Sequence, residues 1–421
     1  MIQVFDLLPG VTLRCFRDHR FKHSCLSLQL VRPMDKNEAA MNALLPAVLL
    51  RGSRPHPDIR SLTLHLDDLY GAAVGPMVRR VGDWQTTGFY ASFTDDRFAL
   101  SGDRIFEPLM ALLRELLLDP LTEGDGFRES YVESEKKNLI STIESQKNNK
   151  AAWAMERLMA HMCREDSYGI PRLGEKHDVE AITPAMLYDH LQKILRESPV
   201  ELFYVGSEAP ETVAERVTGI FEGMERCPVT LPAQTGFHPA EAVDLTETMD
   251  VNQGKLCMGF TTPVTCRDED FTALQAFNTV FGGGMTSKLF AHIREKLSLC
   301  YAISSGVSGS KGLVTVSAGI DSHMDKTVRE EILHQLELCR NGEISRQELT
   351  SAKQAMRSSA LAVHESPGSI ENFYSNAALS GRSVSTEELL RQIEAVTVED
   401  IQTMARQTTL HSVFFLKGVE A

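Results

Sequence analysis

The sequence predicts an α+β protein of two tandem homologous domains, each a mostly antiparallel sheet with helices packed on one face. Three observations predict it. Stretches with helical and strand-like apolar periods alternate along the chain, several of the strands with clear period-two alternation. An ordered set of segments recurs in the two halves. Between them, Pro228, Pro232 and Pro239 lie in a stretch with neither period, which reads as a linker. The expected division is a first domain over 1–226, a linker over 227–245 and a second domain over 246–421.

In the first half, residues 11–16 and 21–31, split by Asp18-His19-Arg20, read as a hairpin. An acidic loop around Asp35 and Glu38 follows, then an apolar helix over 41–50 that ends at Arg51-Gly52-Ser53. A second helix over 58–69 leads to Tyr70-Gly71. Strands are expected at 80–82 and 87–93, and a long polar helix carries Ser134-Glu135-Lys136. Ile182-Thr183-Pro184 opens a helix that is followed by a strand over 202–205.

The second half repeats that order. A strand over 257–260 is followed by the acidic loop Arg267-Asp268-Glu269-Asp270 and a helix over 274–281. That helix ends at Gly282-Gly283-Gly284, and the next, over 287–297, leads to Cys300-Tyr301. Strands over 302–307 and 313–319, a polar helix with Ser351-Ala352-Lys353, a helix opened by Val396-Thr397-Val398 and a strand over 413–416 complete the set. Gly52 precedes Tyr70 by 18 residues, and Gly283 precedes Tyr301 by 18. The register between the halves therefore holds across two elements.

With 421 residues, 43% hydrophobic and 24% charged, the chain can bury a core without disulfide or metal staples. A formal charge of −14 and the lack of any Lys/Arg run argue against a nucleic-acid partner. Apolar runs such as 109–118 are interrupted by Arg114 and Glu115 and are too short to span a bilayer, so no membrane partner is expected. The eight cysteines form no C-x-x-C pair, which excludes a zinc ribbon or a thioredoxin-like motif. The N-terminal residues lack a basic stretch followed by an apolar one, so the expectation is a reduced, cytoplasmic protein with free thiols.

The most specific segment runs from Phe281 to Tyr301. Gly282, Gly283 and Gly284 carry no side chains and let a backbone or a ligand approach closely, which makes them candidate substrate-binding positions. Thr286 or Ser287 can cap the helix that follows, and Leu289, Phe290, Ile293 and Leu297 form its apolar face. Arg294 lies toward its far end, seven residues before Tyr301.

The glycine run, the Leu-Phe-x-x-Ile-Arg-Glu core and the Arg-to-Tyr spacing resemble the second half of the insulinase/pitrilysin zinc peptidases, over nearly the whole chain. That family is built from duplicated α+β domains. The resemblance implies that Arg294 and Tyr301 contact the substrate carbonyl at the cleaved bond, where a guanidinium and a phenol are suitable donors to an oxyanion.

The first half departs from the same family. Active members carry His-x-x-Glu-His just before a turn like Arg51-Gly52-Ser53, and here those positions hold Ala43, Pro46 and Ala47. The third ligand, a glutamate on the long helix, is replaced by Thr142, seven residues after Glu135. None of these supplies a zinc ligand or a general base, so no metal and no cofactor are expected. Glu135 itself reads as part of a solvated charged helix face.

The resemblance therefore points to the zinc-motif-lacking, non-catalytic subgroup. It implies a subunit that pairs with a homologous peptidase carrying His-x-x-Glu-His and lends it Arg294 and Tyr301. Peptides would be the substrates, held partly by strand addition to a sheet edge. A homodimer of the isolated chain is possible within the same scheme, and the alternative is a structural or peptide-binding protein with no part in proteolysis.

Overall fold

The computed structural model describes residues 2–100 and 102–418. The chain forms two compact units, and neither is contiguous. The first takes the chain up to Glu144, then Ile170–Ala233 and Val363–Asn376. The second takes Ser145–Gly169, Gln234–Ala362 and the chain from Ala377 onward. One change of unit falls at Ala233, inside the expected linker. The others differ from the expected division, because each unit also includes a helix from the opposite half.

The first unit holds a sheet of β1 (Ile2–Leu8), β2 (Val11–Arg17), β3 (His23–Pro33), β4 (Ala73–Val81), β5 (Trp84–Thr94) and β6 (Val200–Gly206), in the order β1-β2-β6-β3-β5-β4. β2 runs parallel to β6, and the other neighbours are antiparallel. Leu26, Leu28 and Leu30 alternate along β3 and pack with α1 (Lys36–Leu49) and α3 (Phe106–Leu118) in the main core. The odd positions face the other way. There Cys25, Phe203 and Val205 pack on Ile370 and Tyr374 of a helix over Pro367–Leu379.

The expected hairpin of 11–16 with 21–31 does not form. β6 lies between these strands, parallel to β2 and antiparallel to β3. β6 is apolar on both faces, with Leu202 and Tyr204 on one and Phe203 and Val205 on the other, so it belongs in a sheet interior. β2 instead forms its hairpin with β1, through a turn with Gly10 at φ 67°.

The second unit holds β7 (Asp244–Met249), β8 (Gly254–Thr261), β9 (Ala302–Ser308), β10 (Leu313–Ile320) and β11 (Thr409–Gly418), in the order β9-β10-β8-β11-β7. β7 and β11 are parallel and the rest antiparallel. Leu256, Met258 and Phe260 pack on Phe277 and Phe281 in the main core. Cys257, Phe414 and Leu416 face the other way, onto Ala154 and Leu158 of a helix over Lys150–Met162.

The orders β2-β6-β3-β5-β4 and β7-β11-β8-β10-β9 correspond strand for strand, with the parallel pair at the same place. Most helices of each unit cover one face of its sheet. The far face is covered by a single helix, contributed in each case by the other half of the chain. Remaining helices used below are α2 (Ile59–Asp68), α4 (Glu129–Ser145), α5 (Lys150–Met162), α6 (Pro184–Glu197), α7 (Phe271–Phe281), α8 (Asp325–Arg340), α9 (Arg346–Ala362) and α10 (Pro367–Leu379).

Candidate functional site

α1 starts where the Asp35 carboxylate accepts the Asn37 N–H at 2.7 Å. Ala43 and Pro46 are buried on it and Ala47 is half-buried. Pro46 has no N–H, so the Asn42 carbonyl loses its usual helix partner. Thr87 Oγ1 takes that place, donating to the carbonyl at 2.6 Å. The Asn42 side chain extends the polar contacts, with Nδ2 donating to Gln85 Oε1 at 2.8 Å. That leaves Asn42 Oδ1 to accept from His190 Nε2 of α6 at 2.7 Å. Burial pushes the His190 pKa down to about 4, so the ring is neutral. The α1 level that carries metal ligands in active peptidases is thus closed by packing and by a satisfied amide network.

On α4, Thr142 Oγ1 donates to the Asn138 carbonyl of its own helix at 2.9 Å. Glu135 is not a solvated charge: it is half-buried and accepts from Arg51 Nη1 at 3.1 Å. The Arg51 guanidinium also lies over the Tyr131 ring, 5.1 Å from its centroid. This ion pair ties the turn after α1 to α4. Among the described residues, no group of three or more His, Cys, Asp or Glu is placed to hold a metal ion. Alanine, proline and a threonine bonded to its own helix do not fit a zinc site.

The second unit arranges its counterpart differently. α7 closes where the Gly282 and Gly283 N–H groups both donate to the Asn278 carbonyl, at 2.9 and 2.8 Å. The Gly282 carbonyl in turn accepts the Ser305 N–H of β9 at 2.9 Å. A Cβ at Gly282 would lie 2.7 Å from Leu289 Cδ1 and from Ser305 Oγ, and one at Gly283 would lie 2.9 Å from Thr279 Cα. A Cβ at Gly284 would meet nothing within 4 Å. Gly282 therefore allows tight packing of helix end against strand, Gly283 lets the chain fold back on the end of α7, and Gly284 borders open space.

Ser287 Oγ donates to the Gly284 carbonyl at 2.6 Å and accepts from Phe290 N–H at 3.4 Å, the capping role expected of it. The helix that follows is wider than an α-helix: Leu289–Lys296 is a π-helix, with Leu297 N–H bonded to the His292 carbonyl at 2.9 Å. It is anchored by Lys288 to Glu348 of α9 at 2.8 Å and by His292 to Glu331 of α8 at 3.3 Å. The chain then reverses through Ser298, at φ 53°.

This geometry brings Arg294 and Tyr301 together. Arg294 Nε donates to the Tyr301 carbonyl at 3.0 Å, and its guanidinium lies over Phe290, 4.6 Å from the ring centroid. Arg294 Nη1 also meets Glu295 at 3.0 Å. Tyr301 is 61% exposed, and its hydroxyl donates to Asp321 Oδ1 at 3.0 Å. The hydrogen bond to Asp321 raises the phenol's pKa above its ordinary value and keeps it a proton donor. Asp321 was not visible in the sequence as part of the site; its only signal is its place directly after a strand. A solvent-accessible guanidinium and an exposed phenol can each donate to an oxygen that gains negative charge, but neither activates water.

Residues 181–356 match the peptidase M16 inactive domain. Over 414 residues, 98% of this chain and 96% of the relative, the chain is 32% identical to a Bacillus subtilis protein described as a probable inactive metalloprotease, YmfF. The chain belongs to the peptidase M16 family. A Rickettsia felis protein described as an uncharacterized zinc protease is 23% identical over 300 residues, 69% of this chain and 70% of that one. Among solved structures, a conserved protein from Enterococcus faecalis V583 superposes with a TM-score of 0.92, at 26% identity and 99% coverage of both chains. A peptidase M16 inactive domain from Pseudomonas fluorescens gives 0.81 at 18% identity, covering 100% of this chain and 99% of that one. The insulinase/pitrilysin resemblance therefore holds for family and fold. The matched domain and the whole-length relative are both described as inactive, and this chain is a non-catalytic M16 member.

Proposed function

We propose that this M16 chain is the non-catalytic subunit of a two-subunit zinc peptidase acting on peptides in the cytoplasm. Its partner is a chain of the same family that carries His-x-x-Glu-His and the zinc. Arg294 and Tyr301 reach from this chain to the partner's metal site and donate to the oxyanion formed at the cleaved bond. Gly284, with open space where a side chain would stand, leaves room beside them for a peptide backbone. One observation carries the reading: Arg294 Nε holds the Tyr301 carbonyl at the surface, while at the metal positions of the same chain Ala43 and Pro46 are buried and Thr142 bonds its own helix.

A second reading has an observation of its own. Arg294 and Tyr301 are engaged within the chain, by Glu295 and Asp321, and need no partner to be satisfied. That suits a structural or peptide-binding protein of the same fold. The two readings separate by reconstitution. The purified chain is expected to hold no stoichiometric zinc and to cleave no peptide, then to raise peptide turnover when mixed with the zinc-bearing partner. Metal analysis giving about one tightly held zinc per chain, as an intact site would, contradicts the first reading, and so does an unchanged partner turnover.

A further inference from the structure

Arg294 and Tyr301 are both engaged with carboxylates of their own chain, with different consequences. A guanidinium carries five N–H groups. Arg294 uses Nε on the Tyr301 carbonyl and Nη1 on Glu295, each at 3.0 Å, which leaves its Nη2 hydrogens for another acceptor. A phenol has a single O–H to give. Tyr301 donates it to Asp321 Oδ1 at 3.0 Å. The same proton cannot reach an oxyanion until that bond breaks, and the Asp321 carboxylate repels an oxyanion formed beside it.

Tyr301 does not need Asp321 to hold its backbone in place. Its N–H donates to the Gly319 carbonyl of β10 at 2.9 Å, and its carbonyl is held by Arg294. The side chain stands largely in solvent, so the hydroxyl can turn without repacking a core. Asp321 has no structural duty of its own at this point. It is exposed, it precedes the short turn Ser322–Met324, and its side chain makes no capping hydrogen bond there. Among the described residues, Tyr301 is the side chain that the Asp321 carboxylate bonds.

We infer that Asp321 is a positioning residue that withholds Tyr301: it keeps the hydroxyl in a resting orientation, and Tyr301 becomes an oxyanion donor only when that hydroxyl turns from Asp321 to the substrate. The inference deepens the two-subunit reading and rests on it. A carboxylate is a strong acceptor, but an exposed contact of this kind is worth little in water and can be exchanged for one to a developing oxyanion. The new bond is then made in the transition state and not before it, where a donor raises kcat.

The test has two arms. In the isolated full-length chain, the ultraviolet titration of Tyr301, identified by its loss in Tyr301→Phe, should move to lower pH in Asp321→Ala, because the carboxylate favours the protonated phenol. In the complex with the zinc-bearing partner, cleaving an internally quenched decapeptide, Asp321→Ala should raise kcat by roughly threefold with KM unchanged, the scale of an exposed contact to a charged group. Asp321→Asn should raise it by less, and the gain should vanish when Tyr301→Phe is added. An unmoved titration overturns the inference, as does a kcat in Asp321→Ala at or below wild type, or a gain that survives Tyr301→Phe. Tyr301→Phe alone with full turnover in the assembled complex removes the two-subunit reading and this inference with it. A loss in Tyr301→Phe without a gain in Asp321→Ala removes this inference alone.

Discussion

The two units are built on the same strand order, yet they treat the same landmark in opposite ways. In each, a tyrosine follows a glycine by 18 residues and bonds an aspartate: Tyr70 to Asp103 at 2.7 Å, Tyr301 to Asp321 at 3.0 Å. Tyr70 is half-buried, and its oxygen also accepts the Leu100 N–H at 2.9 Å, so it serves as an internal brace. Tyr301 stands out into solvent. Seven residues before Tyr301 is Arg294, and seven before Tyr70 is Thr63, on α2. With the glycines aligned, Ala43 and Pro46 of α1 match Leu274 and Phe277 of α7, and all four are buried. α1 is thus a packing helix at these positions, like its counterpart α7 in the second unit. The second unit keeps the exposed donors. The duplicated scaffold tolerates either outcome, and chemistry depends on which side chains stand at a few equivalent places.

Uncovering the far face of each sheet tests the largest energy in this comparison. Leu158 and Ile370 are fully buried, each on the helix that covers a sheet belonging mainly to the other half of the chain. Leu158→Asp and Ile370→Asp are each expected to cost about 3–5 kcal/mol, from the lost packing and a buried carboxylate. Urea denaturation reads this directly, and a loss below about 1 kcal/mol for either, the scale of an ordinary surface-to-intermediate substitution, would mean its helix is not needed to cover that face.

The amide network under α1 has a pH signature of its own. His190 has its pKa lowered by burial from 6.5 to about 4, so the unfolded chain binds more protons between those values and stability falls as pH drops through that window. The shift corresponds to roughly 3 kcal/mol by pH 4. Glu38, held at about 2 by Arg32 and Lys193 against its own burial, adds its loss only below its usual 4.5. Denaturation at pH 6.5 and 4.5 should show the His190 slope, and His190→Gln should flatten it.

The glycine run sharpens the contrast within the second unit. Gly282→Ala is expected to cost about 1–3 kcal/mol through overpacking against Leu289 and Ser305. Gly284→Ala should change stability by less than about 0.5 kcal/mol, as at an open surface position. Thermal unfolding of the two variants side by side measures the difference.

Much of this was legible in the sequence, for physical reasons that can be named. The duplication was visible because glycines that end helices and the tyrosines after them keep a fixed spacing. The resemblance put the metal motif at Ala43, Pro46 and Ala47, residue types that cannot do a ligand's work. Long-range partners were not. β6 enters the sheet between β2 and β3 from far along the chain, so a local turn signal at Asp18-His19-Arg20 suggested a hairpin that does not form. The sheet that α5 covers is likewise set by residues far along the chain, Cys257, Phe414 and Leu416. Glu135 looked solvated because its partner, Arg51, is 84 residues away. The π-helix that carries Arg294 has the same apolar spacing as an ordinary helix at this length, and only its hydrogen bonds distinguish it.

The most direct test of the central claim is peptide turnover by the complex of this chain with its zinc-bearing partner, using Arg294→Ala, Tyr301→Phe and Tyr70→Phe. Arg294→Ala and Tyr301→Phe are each predicted to lower turnover by roughly tenfold or more, as loss of an oxyanion donor would, while Tyr70→Phe leaves it unchanged. Turnover equal to wild type in both Arg294→Ala and Tyr301→Phe, with the complex still assembled, would contradict the account.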